Sequence, residues 1–190
     1  MEELGTPHYI KIDIEGSDAL VLRTLKKATH LPHFLSVESE CIREGVTPTD
    51  NVVLETLEIL RDLGFQKFKL VDQTTLRVVP EHGGFYTDPK MQIPPTGKGA
   101  AHWIFRRVKA LNERVFDVHP PFQYYRKKLR DQLGYWFEVG ASGPFGDDLA
   151  GEWLDFERAR KCLLVNRKEY HQLPSSHAFG FWCDWHAKPQ

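Results

Sequence analysis

The chain has 190 residues, 41% of them hydrophobic and 27% charged, with a formal net charge of −1. That length suits one domain, or one domain with an appendage, and the apolar share suffices for a packed core, which excludes global disorder. Its 14 glycines and 12 prolines are near average and exclude collagen-like and low-complexity classes. No apolar run approaches the roughly 20 residues needed to cross a bilayer. Met1-Glu2-Glu3 lacks the basic region and apolar stretch of a signal peptide. Cys41, Cys162 and Cys183 are odd in number and show no CxxC spacing, which argues against a disulfide framework and a structural zinc site. The expectation is a soluble, reduced, cytoplasmic protein.

Tyr9 to Ile14 alternates and is β-branched, which predicts a strand ending at the acidic turn Glu15-Gly16. Ser17 or Asp18 can cap a helix running to about Lys27, with Val21, Leu22, Leu25 and Ala28 at helical spacing. Phe34 to Glu38 reads as a second strand. Thr49 or Asp50 caps a second helix with Val53, Leu57 and Leu60 on one face, and Gly64 stands where a C-terminal cap belongs. Phe65 to Val71 makes a third strand. Strands alternating with helices imply βαβ crossovers and a parallel sheet covered on both faces. Ala101 to Val108 adds a candidate fourth strand, antiparallel at an edge. Residues 80–99 hold eight Gly or Pro and read as a lid or binding loop.

Beyond residue 108 the composition changes. Six aromatics fall in 122–137, after Pro120-Pro121. Ser142-Gly143-Pro144-Phe145-Gly146 is a turn, and a helical stretch is expected from about Leu149 to Tyr170. The tail from Phe179 to His186 is rich in aromatics. Charge is uneven: residues 1–62 hold twelve acidic and six basic side chains, whereas 106–130 hold eight basic and two acidic. The basic stretch suits an anionic substrate, a nucleic acid or simply a solvated helix face. The near-zero net charge argues against the nucleic acid.

In open parallel sheets ligands bind beyond the carboxyl ends of the strands. Asp13 and Glu15 alternate with Ile12 and Ile14, so both carboxylates point to one side at such an end. Two close carboxylates can divide into a base and an oriented acid or cation ligand. The same residues also suit a plain capping turn in which Asp13 bonds nearby backbone. Glu38 and Glu40 occupy the corresponding end of the next strand, in the same crevice or merely in solvent. Asp184 and His186 offer a base with an orienting partner, or else an aromatic tail packed on the sheet. Cys183, Asp184 and His186 lack zinc spacing, so no metal site is expected. GxSxG, P-loop, HExxH and GxGxxG motifs are all absent.

The run from Tyr9 to Leu22, the strand Phe34 to Glu40, the loop Ser142 to Gly146 and the terminal Trp182-Cys-Asp-Trp-His-Ala together resemble the FkbM family of S-adenosylmethionine-dependent methyltransferases. The resemblance implies an α/β fold: the carboxyl half of a Rossmann-like class I methyltransferase sheet of seven strands, with a mainly helical and aromatic C-terminal extension. Residues 1–108 would form the partial Rossmann-like domain and 109–190 the extension packing on it. The chain would begin at the family's fourth strand, without the Gly-rich cofactor turn or the acid that binds the ribose. It would then be a truncated product, one half of a split enzyme or a degenerate paralogue.

By that resemblance, Asp13 is the substrate orienter or base, Glu15 orients the acceptor or holds a cation, and His186 is a reserve base partnered by Asp184. Glu38, Ser142, Gly143 and Asp184 would contact the acceptor, an unidentified small molecule or sugar methylated on oxygen or nitrogen. The Ser142–Gly146 loop and the basic stretch would form its pocket. S-adenosylmethionine is the implied cofactor, with no nucleic-acid or membrane partner. From another class, a non-catalytic interaction module remains open: a homo-oligomer, or a partner for a separate amino-terminal half.

Overall fold

The computed structural model describes residues 5–14, 16–39, 50–87, 121–137, 141–173 and 181–190. Five strands form one sheet in the order β1-β2-β5-β3-β4, where β1 is Tyr9–Ile12, β2 Phe34–Glu38, β3 Lys67–Asp72, β4 Arg77–Val78 and β5 Cys183–Lys188. Strand β1 pairs with β2 in parallel, and β5 pairs antiparallel with both β2 and β3. An α/β architecture is therefore present, but the sheet is mixed where a parallel one was expected. The expected strand at 101–108, the remainder of the loop beyond residue 87 and the domain boundary at 108/109 lie outside the described residues.

The terminal segment differs most from expectation. Residues 183–188 do not pack on the sheet as part of an extension; they are a strand within it. The physical reason is their period of two. Cys183, Trp185 and Ala187 alternate with Asp184, His186 and Lys188, so one set joins the apolar core and the other a polar layer.

Helix α1 (Asp18–Thr24), continued by a 3-10 turn at Leu25–Lys27, crosses from β1 to β2, and helix α2 (Asp50–Leu63) leads from β2 to β3. Both crossovers move the same way across the sheet, which sets both helices on one face. Helix α4 (Phe156–Gln172) packs beside α2 on that face. Leu22, Val53, Leu57, Leu60, Ala159 and Leu163 from the helices meet Ile12, Leu35, Val37, Phe68, Leu70, Trp185 and Ala187 from the strands in one core. Gly64 ends α2 at φ 104°, a left-handed conformation that costs glycine little. Ser17 stands at the start of α1 without a side-chain cap bond. The carboxylate of Asp18 closes the preceding turn instead, accepting from the backbone N–H groups of Ile14 and Gly16, each at 3.2 Å.

The opposite face carries a row of polar side chains in register: Lys11, Ser36, His186 and Lys69 on β1, β2, β5 and β3. No described α-helix covers this row. A strap of residues 141–154 lies over it, where a helix from Leu149 was expected. The helix begins only at Phe156, with Asp155 accepting from the Arg158 N–H at 2.9 Å. Before it, Leu154 is held by paired backbone bonds to Phe68, and Gly151 sits at φ 106° against Val78, where a Cβ would approach to 3.2 Å. Both features bar helical dihedrals.

Helix α3 (Pro121–Leu133) is fastened to the β3–β4 turn by Arg126, which is buried. Its guanidinium donates to the carbonyls of Thr74 (3.0 Å), Gln73 (2.6 Å) and Phe137 (2.7 Å). Three charge-assisted bonds offset the cost of burying that cation.

Trp185 is fully buried in the middle strand, edge-on to Phe68. Trp185→Ala is expected to destabilise the fold by about 3–5 kcal/mol, read as a lower denaturant midpoint in urea unfolding.

Candidate active site

The parallel strands β1, β2 and β3 end at one rim of the sheet, and antiparallel β5 begins there. This gathers Asp13, Glu38, Asp72 and Asp184 at the carboxyl end, the position where α/β sheets receive ligands. Glu38 stands directly opposite Asp184 in the register of β2 and β5. Asp13 lies at the exposed margin, ion-paired with Lys11 at 2.9 Å. Glu15, its expected companion, lies outside the described residues.

Asp184 is the best-defined group of the cluster. Its side chain is buried and accepts the Ser142 hydroxyl at 2.7 Å. Burial pushes its carboxyl up to about 6, and the nearby carboxylates of Asp13 and Asp18 push the same way, against the Ser142 hydroxyl and the Lys11 ammonium. A carboxyl that exchanges its proton near neutrality suits general acid–base work.

His186 occupies a different setting from the one expected of a base. It is 1% exposed, and burial drives its imidazole down to about 3, so the ring stays neutral. Its ring donates to the Ser142 backbone, while Nε2 has no hydrogen-bond partner among the described residues. Asp184 and His186 therefore meet through Ser142, one at its hydroxyl and the other at its backbone, and Asp184 does not orient the imidazole directly. As a base in the reaction His186 is poorly suited, because burial holds its proton affinity far below neutrality; Asp184, also under the strap, keeps 7% exposure at the rim and a carboxyl near 6.

The strap is fixed by several unlike contacts. Phe145 stacks on Tyr9 with centroids 4.3 Å apart, and the Tyr9 hydroxyl bonds Ser36 at 2.5 Å. Burial raises the Tyr9 phenol above its ordinary value. Lys69, missed in the sequence, is buried in β3. Its ammonium donates to the Leu149 carbonyl at 2.6 Å and lies 4.4 Å from the Trp153 ring centroid, and burial lowers its pKa. Lys188 lies over the same ring at 4.7 Å. Gly143, expected at the acceptor, sits at φ 77° and packs on Leu76, where a Cβ would come within 3.1–3.3 Å.

Asp72, also missed, closes the β3–β4 turn. It accepts from the Thr75 N–H (2.8 Å) and hydroxyl (2.7 Å), and burial pushes its carboxyl up to about 6. Its role is to shape the hairpin. A cleft of about 630 Å³, within the range of small-molecule sites, lies between that hairpin, α3 and the strap. Leu76, Arg77, Tyr125, Lys128, Pro144 and Leu149 are among its walls. Among the described residues Pro144 is its one wall from the Ser142–Gly146 loop and Lys128 its one cation from the basic stretch; Ser142 and Gly143 do not line it. Asp13 and Asp184 do not line it. Among the described residues no group of three His, Cys, Asp or Glu side chains is placed to hold a metal ion.

Comparison with protein-family models, with curated proteins and with solved structures finds no match to this chain.

The buried groups give opposed pH dependences. Asp184 and Asp72, raised to about 6, contribute stability that is complete below about pH 4 and lost as pH rises to about 6. His186, lowered to about 3, contributes stability that is present above about pH 6.5 and lost as pH falls toward 3. Asp184→Asn removes one carboxylate cost. It is expected to gain stability relative to the parent between pH 4 and pH 8, by at most about 3 kcal/mol, as measured by paired thermal melts at the two values.

Proposed function

We propose that this chain is the carboxyl part of an S-adenosylmethionine-dependent methyltransferase of FkbM type, acting on an oxygen or nitrogen of a small-molecule acceptor. The observation that carries the reading is the acidic carboxyl rim, where Asp184 holds a carboxyl near neutral proton affinity beside Asp13 and Glu38. The topology is compatible with it. Three mutually parallel strands joined by two helical segments, with a terminal strand inserted antiparallel, fit the carboxyl half of the sheet that the resemblance implies.

The cofactor side is a separate matter. Gly16 is the one described glycine in the turn between β1 and α1, and nothing lies within 4 Å of where its Cβ would be. Among the described residues nothing packs against Gly16 as a closely approaching ligand or backbone would require. What the described residues supply is the acceptor side. Asp184 takes the proton of the acceptor hydroxyl or amine, Ser142 fixes the rotamer of that carboxylate, and Asp13 with Lys11 offers an acceptor and a donor at the rim for orientation.

A second reading, an interaction module or one half of a split enzyme, has its own observation. Among the described residues the outer edge of β1 pairs with no strand, and Ile14 and Leu20 beside it are 44% and 66% exposed. An open edge with apolar flanks favours pairing with another chain.

Isothermal titration of S-adenosylmethionine into the chain separates the two. Heat at micromolar strength, about −8 kcal/mol, keeps the methyltransferase reading for this chain. Silence at millimolar ligand removes cofactor binding from this chain alone and leaves the second reading, in which an interaction module self-associates with concentration in sedimentation and a split half assembles only with its amino-terminal partner. Where the cofactor binds, Asp184→Asn is expected to lower methyl transfer at pH 7 by about 10²-fold or more with cofactor affinity unchanged, checked by single-turnover assays with labelled cofactor.

A further inference from the structure

Strand β1 pairs with β2 and, among the described residues, with no strand on its other side. The ladder decides which of its backbone groups look outward. The Phe34 N–H donates to the His8 carbonyl at 2.9 Å, with Tyr9 opposite Phe34. Alternate residues of a parallel strand turn their backbone groups to the same side, so Ile10 and Ile12 address β2, while Tyr9 and Lys11 face outward. Asp13, just past the strand, continues the pattern. Its carboxylate meets the Lys11 ammonium at 2.9 Å on one face, as a period of two requires, and the next N–H, that of Ile14, turns inward to Asp18 at 3.2 Å.

An antiparallel second copy of β1 meets these constraints in one register. Outward residues must oppose outward residues, because such a pair exchanges both its hydrogen bonds. A two-fold axis through Ile12 then sets Lys11 opposite Asp13 of the second copy, and Asp13 opposite its Lys11. Both pairs attract. A shift of two residues either way sets Lys11 against Lys11 or Asp13 against Asp13, and like charges directly opposite are destabilising. On the other face the same register brings Ile14 against Ile10 and Ile12 against Ile12. Ile14 is 44% exposed, whereas Ile10 and Ile12 already pack on the core, so the pairing carries the apolar face of the sheet across the seam.

We propose that β1 pairs antiparallel with β1 of a second copy of this chain, making one continuous sheet with Lys11–Asp13 ion pairs across the seam. Charged side chains commonly guard an edge strand against pairing. Here the two charges are of opposite sign, and one register neutralises both while matching backbone direction and apolar pattern. The proposal rests on the interaction reading given above and names its partner.

Sedimentation equilibrium of the full chain tests it. The parent is expected to pass from monomer to dimer as concentration rises. Lys11→Glu and Asp13→Lys are each expected to weaken the dimer about tenfold or more, since each alone sets like charges opposite one another. An equal mixture of the two variants is expected to regain the parent's affinity, because every introduced charge then meets its opposite. Both positions are exposed, and thermal melts check that each variant keeps the fold. Residue-resolved amide exchange is expected to slow with concentration at Lys11 and Asp13 and to stay unchanged at Ile12, whose N–H already belongs to the β1–β2 ladder. A parent that remains monomeric at its highest soluble concentration overturns the proposal and leaves the split-half form of the interaction reading. A dimer that neither charge variant weakens, or that mixing does not restore, overturns the β1 seam while the interaction reading stands.

Discussion

Strands β2 and β3 run parallel but share no hydrogen bond; everything between them passes through β5. All six of its residues pair antiparallel with β3 and four of them, Asp184 to Ala187, also with β2, so those backbones satisfy two ladders at once. The same strand divides its side chains between two environments. Trp185 and Ala187 complete the core under α1, α2 and α4, while Asp184 and His186 enter the polar layer under the strap. Fold and candidate chemistry therefore share one short segment, and the position of Asp184 is only as fixed as its strand.

The polar layer explains why a loop rather than a helix covers that face. A helix offers its surroundings only side chains along its length, whereas Lys69, Asp184 and His186 need backbone and hydroxyl partners at irregular positions. The strap supplies them through the Ser142 hydroxyl and backbone and the Leu149 carbonyl, and it covers the buried Lys69 ammonium with the Trp153 ring. Glycines at 143 and 151 let the strap pass close to Leu76 and Val78. The carboxyl rim gains a carboxylate of raised proton affinity as a by-product of this covering, since burial is the main cause of its shift.

Local periodicity made β1, β2, α2 and Gly64 readable in advance, because each is decided by neighbours within a few residues. The alternation in Cys183–Lys188 was equally visible, but its density of aromatics suggested a tail packed on the sheet, and nothing local indicates which strands it joins. The site shows the same limit. Asp13, Glu38, Ser142, Asp184 and His186 were each singled out from the sequence, yet the meeting of Ser142 with Asp184 and His186 is a tertiary fact that spacing does not contain. Lys69 was overlooked because a lysine alternating with apolar residues reads as an outward solvated side chain; here it points into a covered layer. Asp18 was read as a helix cap and instead shapes the turn before it.

Ser36 and His186 pair across nearly the whole described chain, so the middle of this sheet is its least local part. Closing a loop of that length costs about 4 kcal/mol of chain entropy before the contacts repay it, and folds dominated by such pairings form slowly. Until β5 docks, the facing edges of β2 and β3 bound an empty slot whose unpaired backbone groups are open to any extended segment in reach. Since β5 is the last described element in the sequence, that slot stays open until its segment arrives, and open strand edges of this kind favour mispairing and aggregation.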